Sequence, residues 1–246
     1  MIFIKTNEEI DKMRKACKIT GDVLKLLEDK IREGMTTKEL DTIAYEYITG
    51  CGAKPAFLGL YGFPGTVCIS IDEQVVHGIP SDKRIIREGE IVSLDTGAVV
   101  DGWYGDAARS VYVGRISPEK KRLIDVTKEC FFKGAAAVVE GGAIGDIGYA
   151  VQTYAERSGF SVVREMVGHG VGKKLHEDPS VPNYGKKGVG VRIKKGMTLA
   201  IEPMINMGDY KVRINGWDCV TKDGLPSAHY ENTVALTDNG VEILTL

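Results

Sequence analysis

Two ten-residue stretches, IREGEIVSLD at 86–95 and IKKGMTLAIE at 193–202, share one layout. Each runs Ile, two residues that include a cation, Gly, a β-prone segment and then a carboxylate, so Asp95 follows Gly89 by six residues and Glu202 follows Gly196 by six. An acid joined to an apolar strand constrains a fold severely, because a buried charge without a partner is expensive. The pattern reads either as a chance echo or as a duplicated half-domain that brings two equivalent strand ends, each with its acid, to one place.

Helices and strands are expected in blocks around these stretches. Thr6-x-x-Glu9 is a capping box and predicts a helix to about Glu33, broken near Gly21; Thr36-x-x-Glu39 predicts a second helix through Tyr47. Strands are expected at 66–71 and across 90–113. Helices are expected at 119–140 and 146–158, the latter opened by Asp146, and short strands at 161–167, 197–202, 230–236 and 241–245. Such blocks predict an α+β fold. With 246 residues, 43% of them hydrophobic and 27% charged, the chain can bury a sizeable core in one large domain or two small ones.

The net charge of −2 provides no field that would draw the chain to nucleic acid or an anionic membrane. No apolar run approaches the ~18–20 residues of a membrane span, and the N-terminal segment turns charged at Lys5, unlike a secretory signal. Cys17, Cys51, Cys68, Cys130 and Cys219 are odd in number, widely spread and free of CxxC pairs. Reduced thiols in a cytoplasm are therefore expected, rather than a disulfide framework or zinc knuckle.

Asp95 and Asp106 flank TGAVVDGWYG, in which Asp101-Gly102 is a hairpin turn signal. Their spacing suits residues that face each other across a hairpin turning near 100–101. Carboxylates that close repel unless a cation lies between them. The alternative is that one acid is a turn residue and the other pairs with Arg109. Glu202 ends the apolar run TLAIE, where Pro203 stops the ladder, and Glu231 opens the apolar run ENTVALT. Each alone could be an edge-strand acid. His169 stands among Gly168, Gly170 and Gly172, where backbone comes close to something that the imidazole points at.

One explanation covers all five residues: metal. Four ionised carboxylates carry four negative charges, which two divalent cations balance and one does not. Oxygen donors with one imidazole and no thiolate suit Mn, Fe, Co or Zn, and a two-metal site acidifies a bridging water and clamps an oxyanion, which is hydrolysis chemistry. His77, His176 and His229 remain. Taken singly each reads as structural or surface; beside a hydrolytic metal site, His77 and His176 also read as donors to a reacting carbonyl or a leaving nitrogen.

The segments VCISIDEQVVHGIP (67–80), LDTGAVVDGWYGDAARSVYVG (94–114), GHGVGKKLHEDP (168–179), TLAIEPM (198–204) and SAHYENTVALTDNGVEILT (227–245) together resemble the type I methionine aminopeptidases along nearly the whole chain. The resemblance implies the pita-bread metallopeptidase fold, two pseudo-twofold halves with a curved antiparallel sheet and flanking helices, over a single catalytic domain at 1–246. It implies removal of N-terminal methionine from nascent proteins with a small second residue, by a metal-activated bridging water or hydroxide. Two divalent ions (Co, Mn, Fe or Zn) would be held by Asp95, Asp106, His169, Glu202 and Glu231, with Asp95 on one ion, Asp106 and Glu231 bridging, and His169 and Glu202 completing the other. Glu202 would shuttle a proton to the leaving amine, His77 would sit near the scissile nitrogen, and His176 would steady the oxyanion. Phe57, Leu60, Tyr61, Phe63, Cys68 and Trp217 would line the methionine slot, for which aromatic faces and a soft thiol suit a thioether. The expected enzyme is a cytoplasmic monomer with no membrane or nucleic-acid partner and a transient ribosome contact.

Two departures from the family pattern stand next to Glu231: His229 and Asn232 replace the usual Gln and His. The glycine-rich segment at 141–148 lacks the Lys-Ser/Thr of a phosphate loop and reads as a turn into a helix. The chain starts almost directly at its first helix, so the N-terminal zinc-binding region of eukaryotic cytosolic relatives is expected to be absent. Xaa-Pro aminopeptidases and prolidases share the fold but carry an additional N-terminal domain for which this length leaves no room. A non-catalytic binding relative would be expected to have lost ligands, and all five stand here.

Overall fold

Thr6 starts the first helix as its sequence dictates: its hydroxyl accepts from the Glu9 amide (3.2 Å) while Glu9 Oε2 accepts from the Thr6 amide (3.0 Å). In the computed structural model, which describes residues 1–246, helix α1 then runs unbroken over Asn7–Lys30. The break expected at Gly21 does not occur. A Cβ there would stand 2.6 Å from the Thr245 carbonyl oxygen, so the glycine lets the C-terminal segment cross the helix at close range. The other helices are α2 (Thr37–Gly50), α3 (Pro118–Ala136) and α4 (Ile144–Arg157). Asp146 is not the first residue of α4 but its third, within the first turn, where its carboxylate accepts from the amides of Ala143 (2.8 Å) and Gly188 (2.6 Å).

The strands are β1 (Lys54–Pro55), β2 (Val67–Ile71), β3 (Gln74–Val76), β4 (Ile91–Val100), β5 (Trp103–Tyr112), β6 (Ser161–Val162), β7 (Gly168–Gly170), β8 (Glu177–Val181), β9 (Thr198–Ile201), β10 (Met204–Asn206), β11 (Val212–Asn215), β12 (Asp218–Thr221), β13 (Ser227–His229), β14 (Glu231–Thr237) and β15 (Gly240–Ile243). Of the strand expected at 161–167 only β6 forms. The main sheet has nine antiparallel strands in the order β1-β4-β5-β14-β9-β7-β8, with β2 also on β4 and β15 also on β14. Two three-stranded sheets, β13-β10-β6 and β11-β12-β3, flank it.

Both echo stretches enter the main sheet, as β4 and β9. Around β4 the core joins α1 and α2 to the sheet through Leu24, Leu27, Leu40, Ile69, Val92 and Leu94. Around β9 a second cluster joins α3 and α4 through Phe131, Ile147, Leu199, Ile201 and Val234. Burying each such side chain contributes about 1.5–3 kcal/mol. Because strand side chains alternate between faces, these apolar residues commit one face of the sheet to the helices. Their neighbours in sequence point to the other face.

Candidate metal centre

Strand register assembles the site. The β4–β5 hairpin turns at Asp101-Gly102, both with positive φ (51° and 76°), and pairs Asp95 with Ala108 and Gly97 with Asp106. Asp95 and Asp106 are thus diagonal neighbours on one face, not directly opposed as their spacing suggested. Glu231 pairs with the same Ala108 across the β5–β14 junction. One residue past the pair Asn232↔Ile201, Glu202 stands level with Glu231, and His169 pairs with Ala200. Strands β4, β5, β14, β9 and β7, consecutive in the sheet, therefore each deliver one side chain to the face away from the helices.

The reading in which one acid turns the hairpin and the other pairs with Arg109 is not what the structure has. Arg109 pairs with Leu94, pointing to the opposite face from Asp95 and Asp106. There it donates to the carbonyls of Ala108 (2.8 Å) and Glu231 (2.6 Å) and to Asn232 Oδ1 (2.7 Å), with its guanidinium 4.4 Å from the Tyr230 ring centre. Asn232, a departure from the family pattern, thus anchors the arginine that grips the Glu231 backbone. Thr233 performs the same service for Asp106: its hydroxyl accepts from the Asp106 amide (3.1 Å) and donates to the Asp106 carbonyl (2.9 Å). Sequence reasoning missed Arg109 and Thr233 in these holding roles.

His169 Nε2 lies 3.6 Å from Asp106 Oδ2 and 3.5 Å from Glu202 Oε1. Its Nδ1 is 2.8 Å from the Gly170 carbonyl. That bond fixes the tautomer with the proton on Nδ1 and leaves the Nε2 lone pair facing the acids. The flanking glycines serve the protein backbone and not a ligand. A Cβ at Gly168 would come within 2.3 Å of the Ala200 carbonyl oxygen, and one at Gly170 within 2.3 Å of the Asp178 carbonyl oxygen.

Burial dominates the electrostatics of the cluster. Burial, reinforced by neighbouring carboxylates, pushes the Asp95, Glu202 and Glu231 carboxyls well above the ordinary range, and burial pushes Asp106 up to about 7. Burial lowers His169 to about 4 and His229 to about 3, and also lowers His77 and His176, so all four rings are neutral at pH 7. Asp95 Oδ1, Asp106 Oδ1 and Glu231 Oε1 are inaccessible to solvent and have no hydrogen-bond partner. No cationic side chain reaches these oxygens: the nearby Arg109 spends its donors on main-chain carbonyls and Asn232. Orphaned carboxylate oxygens beside neutral imidazoles are a donor set that fits divalent cations. Asp106, His169 and Glu231 offer ligand atoms within 4.8 Å of one another, as do Asp95, Glu231 and His229.

A cavity opens onto the cluster. Its lining holds the five donors, His77, His176, Phe57, Leu60, Tyr61, Phe63, Cys68 and Trp217, and adds Leu175. Phe57, Phe63, Cys68 and Leu175 form a buried apolar wall, with Trp217 edge-on to Phe63 at 5.2 Å. Cys68 pairs across the ladder with Asp95, and burial keeps its thiol protonated. Tyr61, 76% exposed, stands at the mouth, stacked 6.0 Å from His176, whose ring meets His169 edge-on at 4.5 Å. His77 lies edge-on to Trp217 at 5.9 Å and has φ of 64°, a strained conformation for a residue with a side chain. The loop carrying His176 is held by a buried pair: Lys5 Nζ lies 2.6 Å from Glu177 Oε2, while Glu177 Oε1 accepts from the Lys173 and Lys174 amides.

The family model described as metallopeptidase family M24 matches residues 11–238. A methionine aminopeptidase of Clostridium perfringens is 54% identical over 248 aligned positions, covering all of this chain and 99% of the relative. The crystal structure of methionine aminopeptidase from Rickettsia prowazekii superposes with a TM-score of 0.97 at 43% identity, each chain covered completely. The prolidase from Pyrococcus furiosus shares the fold at a TM-score of 0.81 and 26% identity, but the chain covers only 65% of it. The curved antiparallel sheet with its flanking helices is thus the pita-bread fold, and the chain belongs to metallopeptidase family M24, in its type I methionine aminopeptidase branch.

Proposed function

We propose that the chain removes methionine from the N-terminus of nascent polypeptides with a small second residue. The observation that carries this reading is the row of five donor side chains, one from each of five neighbouring strands, at the floor of a cavity with an apolar wall. Asp95, Asp106, His169, Glu202 and Glu231 would hold two divalent ions of Co, Mn, Fe or Zn. When bound, the ions supply an acidified water and a Lewis acid for the scissile carbonyl. Glu202 would accept a proton from the attacking water and pass it to the leaving amine as the peptide C–N bond breaks. His77, held over Trp217, hydrogen-bonds near the scissile nitrogen. His176 donates to the carbonyl oxygen as it gains charge. Phe57, Leu60, Tyr61, Phe63, Cys68 and Trp217 seat the thioether side chain and keep water from it.

That all five donors come from one continuous sheet supports reading 1–246 as a single catalytic domain. Five free thiols support a reducing compartment, the cytoplasm, and no helix is long and apolar enough to cross a membrane. The family resemblance extends the proposal to a monomer in transient contact with the ribosome. A peptide assay tests the specificity. Met-Ala-Ser should lose its methionine, lose this reactivity under chelator and regain it on metal addition, while Ala-Pro-Ala stays intact. Cleavage of Ala-Pro-Ala alone would favour the proline-specific alternative, and cleavage of neither with metal present would favour a binding protein.

A further inference from the structure

His229 is buried to 1% exposure, and neither of its ring nitrogens has a hydrogen-bond partner. Leaving such a group unsatisfied is costly, and buried polar groups without partners are rare enough to require a reason. The residue is not loosely placed. Its amide donates to Ser110 Oγ (2.8 Å), and the same hydroxyl is 2.9 Å from its carbonyl oxygen. Its Nε2 lies 3.8 Å from Glu231 Oε2 and 3.9 Å from Glu202 Oε2. These distances are too long for hydrogen bonds. They do fit donors that share a cation, because metal–ligand bonds of about 2.1 Å allow donor atoms to stand up to about 4.2 Å apart. With Asp95 and Glu231 it forms a second group of ligand atoms within 4.8 Å, beside the group of Asp106, His169 and Glu231.

We propose that His229 is a nitrogen donor to the metal centre, ligating the ion held by Asp95 and Glu231. Each of the two ions then has one imidazole, His169 on one side of the carboxylates and His229 on the other. A neutral ring adds a ligand without adding negative charge, so the balance of four carboxylates against two divalent cations is unchanged. The inference rests on the dinuclear reading above and assigns a function to one of the two departures beside Glu231.

Titration of the full-length, histidine-¹⁵N-labelled protein with Zn(II), followed by long-range ¹H–¹⁵N correlation of the four imidazoles, tests it without any variant and without an activity readout. By two equivalents, one nitrogen each of His169 and His229 should leave the free-imidazole range, while His77 and His176 keep their free-ring nitrogens. In His229→Gln, checked for an unchanged melting temperature without metal, the second ion should bind about 10–100-fold more weakly, the scale seen when groups around a metal are removed. A His229 ring that stays free at saturating Zn(II) while His169 shifts would overturn the proposal and leave the metal reading standing. If no ring shifts and no zinc is retained, both readings fail together.

Discussion

His169 shows how constraint on its neighbours can ready one residue as a metal donor. The glycines beside it exist because β7 is squeezed between β8 and β9, and the Gly170 carbonyl then selects the tautomer. That a histidine among glycines marks a special place was legible in the sequence; that the crowding comes from the protein's own backbone was not. The five acid and imidazole donors were legible because each adjoins an apolar strand or a glycine run. The diagonal placement of Asp95 and Asp106 needed the exact pair register, which a one-residue uncertainty in the turn obscures. The same register sends Arg109 to the opposite face. His229 was visible as a residue type only, because its approach to Asp95 depends on how β13 leads into β14. His176 differs from the candidate ligands in one testable respect: its ring stands edge-on to His169 at 4.5 Å and forms no ion pair with a carboxylate. His176→Ala should lower kcat by about 10²–10³-fold, as loss of an oxyanion donor does, with metal affinity unchanged. Steady-state kinetics paired with metal titration checks this, and a variant altered in metal affinity alone would contradict the role.

At the scale of elements, capping boxes and long periodic runs were read correctly; the short strands expected at 197–202, 230–236 and 241–245 form as β9, β14 and β15, whereas that at 161–167 shrinks to β6 and others such as β7 went unread. Both Thr-x-x-Glu boxes form as the sequence implies. Strands as short as β7, whose sequence is GHG, carry no alternation to read, and they exist because the longer β9 beside them provides a template. Gly21 is the instructive error. Helix propensity alone favours alanine there by about 1 kcal/mol. Against this stands a Cβ 2.6 Å from a carbonyl oxygen of the C-terminal segment, whose Thr245 side chain also bonds the Thr233 amide and Asn232. Overpacking of this kind costs about 1–3 kcal/mol, so packing outweighs propensity. Gly21→Ala should destabilise by up to about 2 kcal/mol in urea unfolding; a stabilised variant would show that the crossing is loose.

For the whole molecule, the repeated layout at 86–95 and 193–202 proves to be structural: both copies enter one sheet, and both acids reach one cavity. The fold thereby concentrates four carboxylates where burial opposes their ionisation, and stability without metal must depend on pH. The carboxylates have folded pKa values above their unfolded values near 4, so the unfolded chain gives up these protons first and stability falls as pH rises. The four histidines, lowered on folding, act in the opposite sense, an effect that fades by about pH 7.5 as the unfolded rings lose their protons. Between about pH 7.5 and 8.5 the carboxylates dominate. In that window the metal-free protein should melt at progressively lower temperature, and saturating metal should remove the decline, because cations replace the protons. Scanning calorimetry with and without chelator reads this directly, and a flat or rising metal-free melting temperature would contradict it.

The central claim is that five side chains from five strands hold paired divalent ions. Anomalous diffraction from manganese-loaded crystals, collected at the metal edge, tests it most directly. Two peaks are expected about 3.5–4 Å apart, enclosed by Asp95, Asp106, His169, Glu202 and Glu231; no peak among those residues, with manganese bound elsewhere or not at all, would refute the paired-ion site.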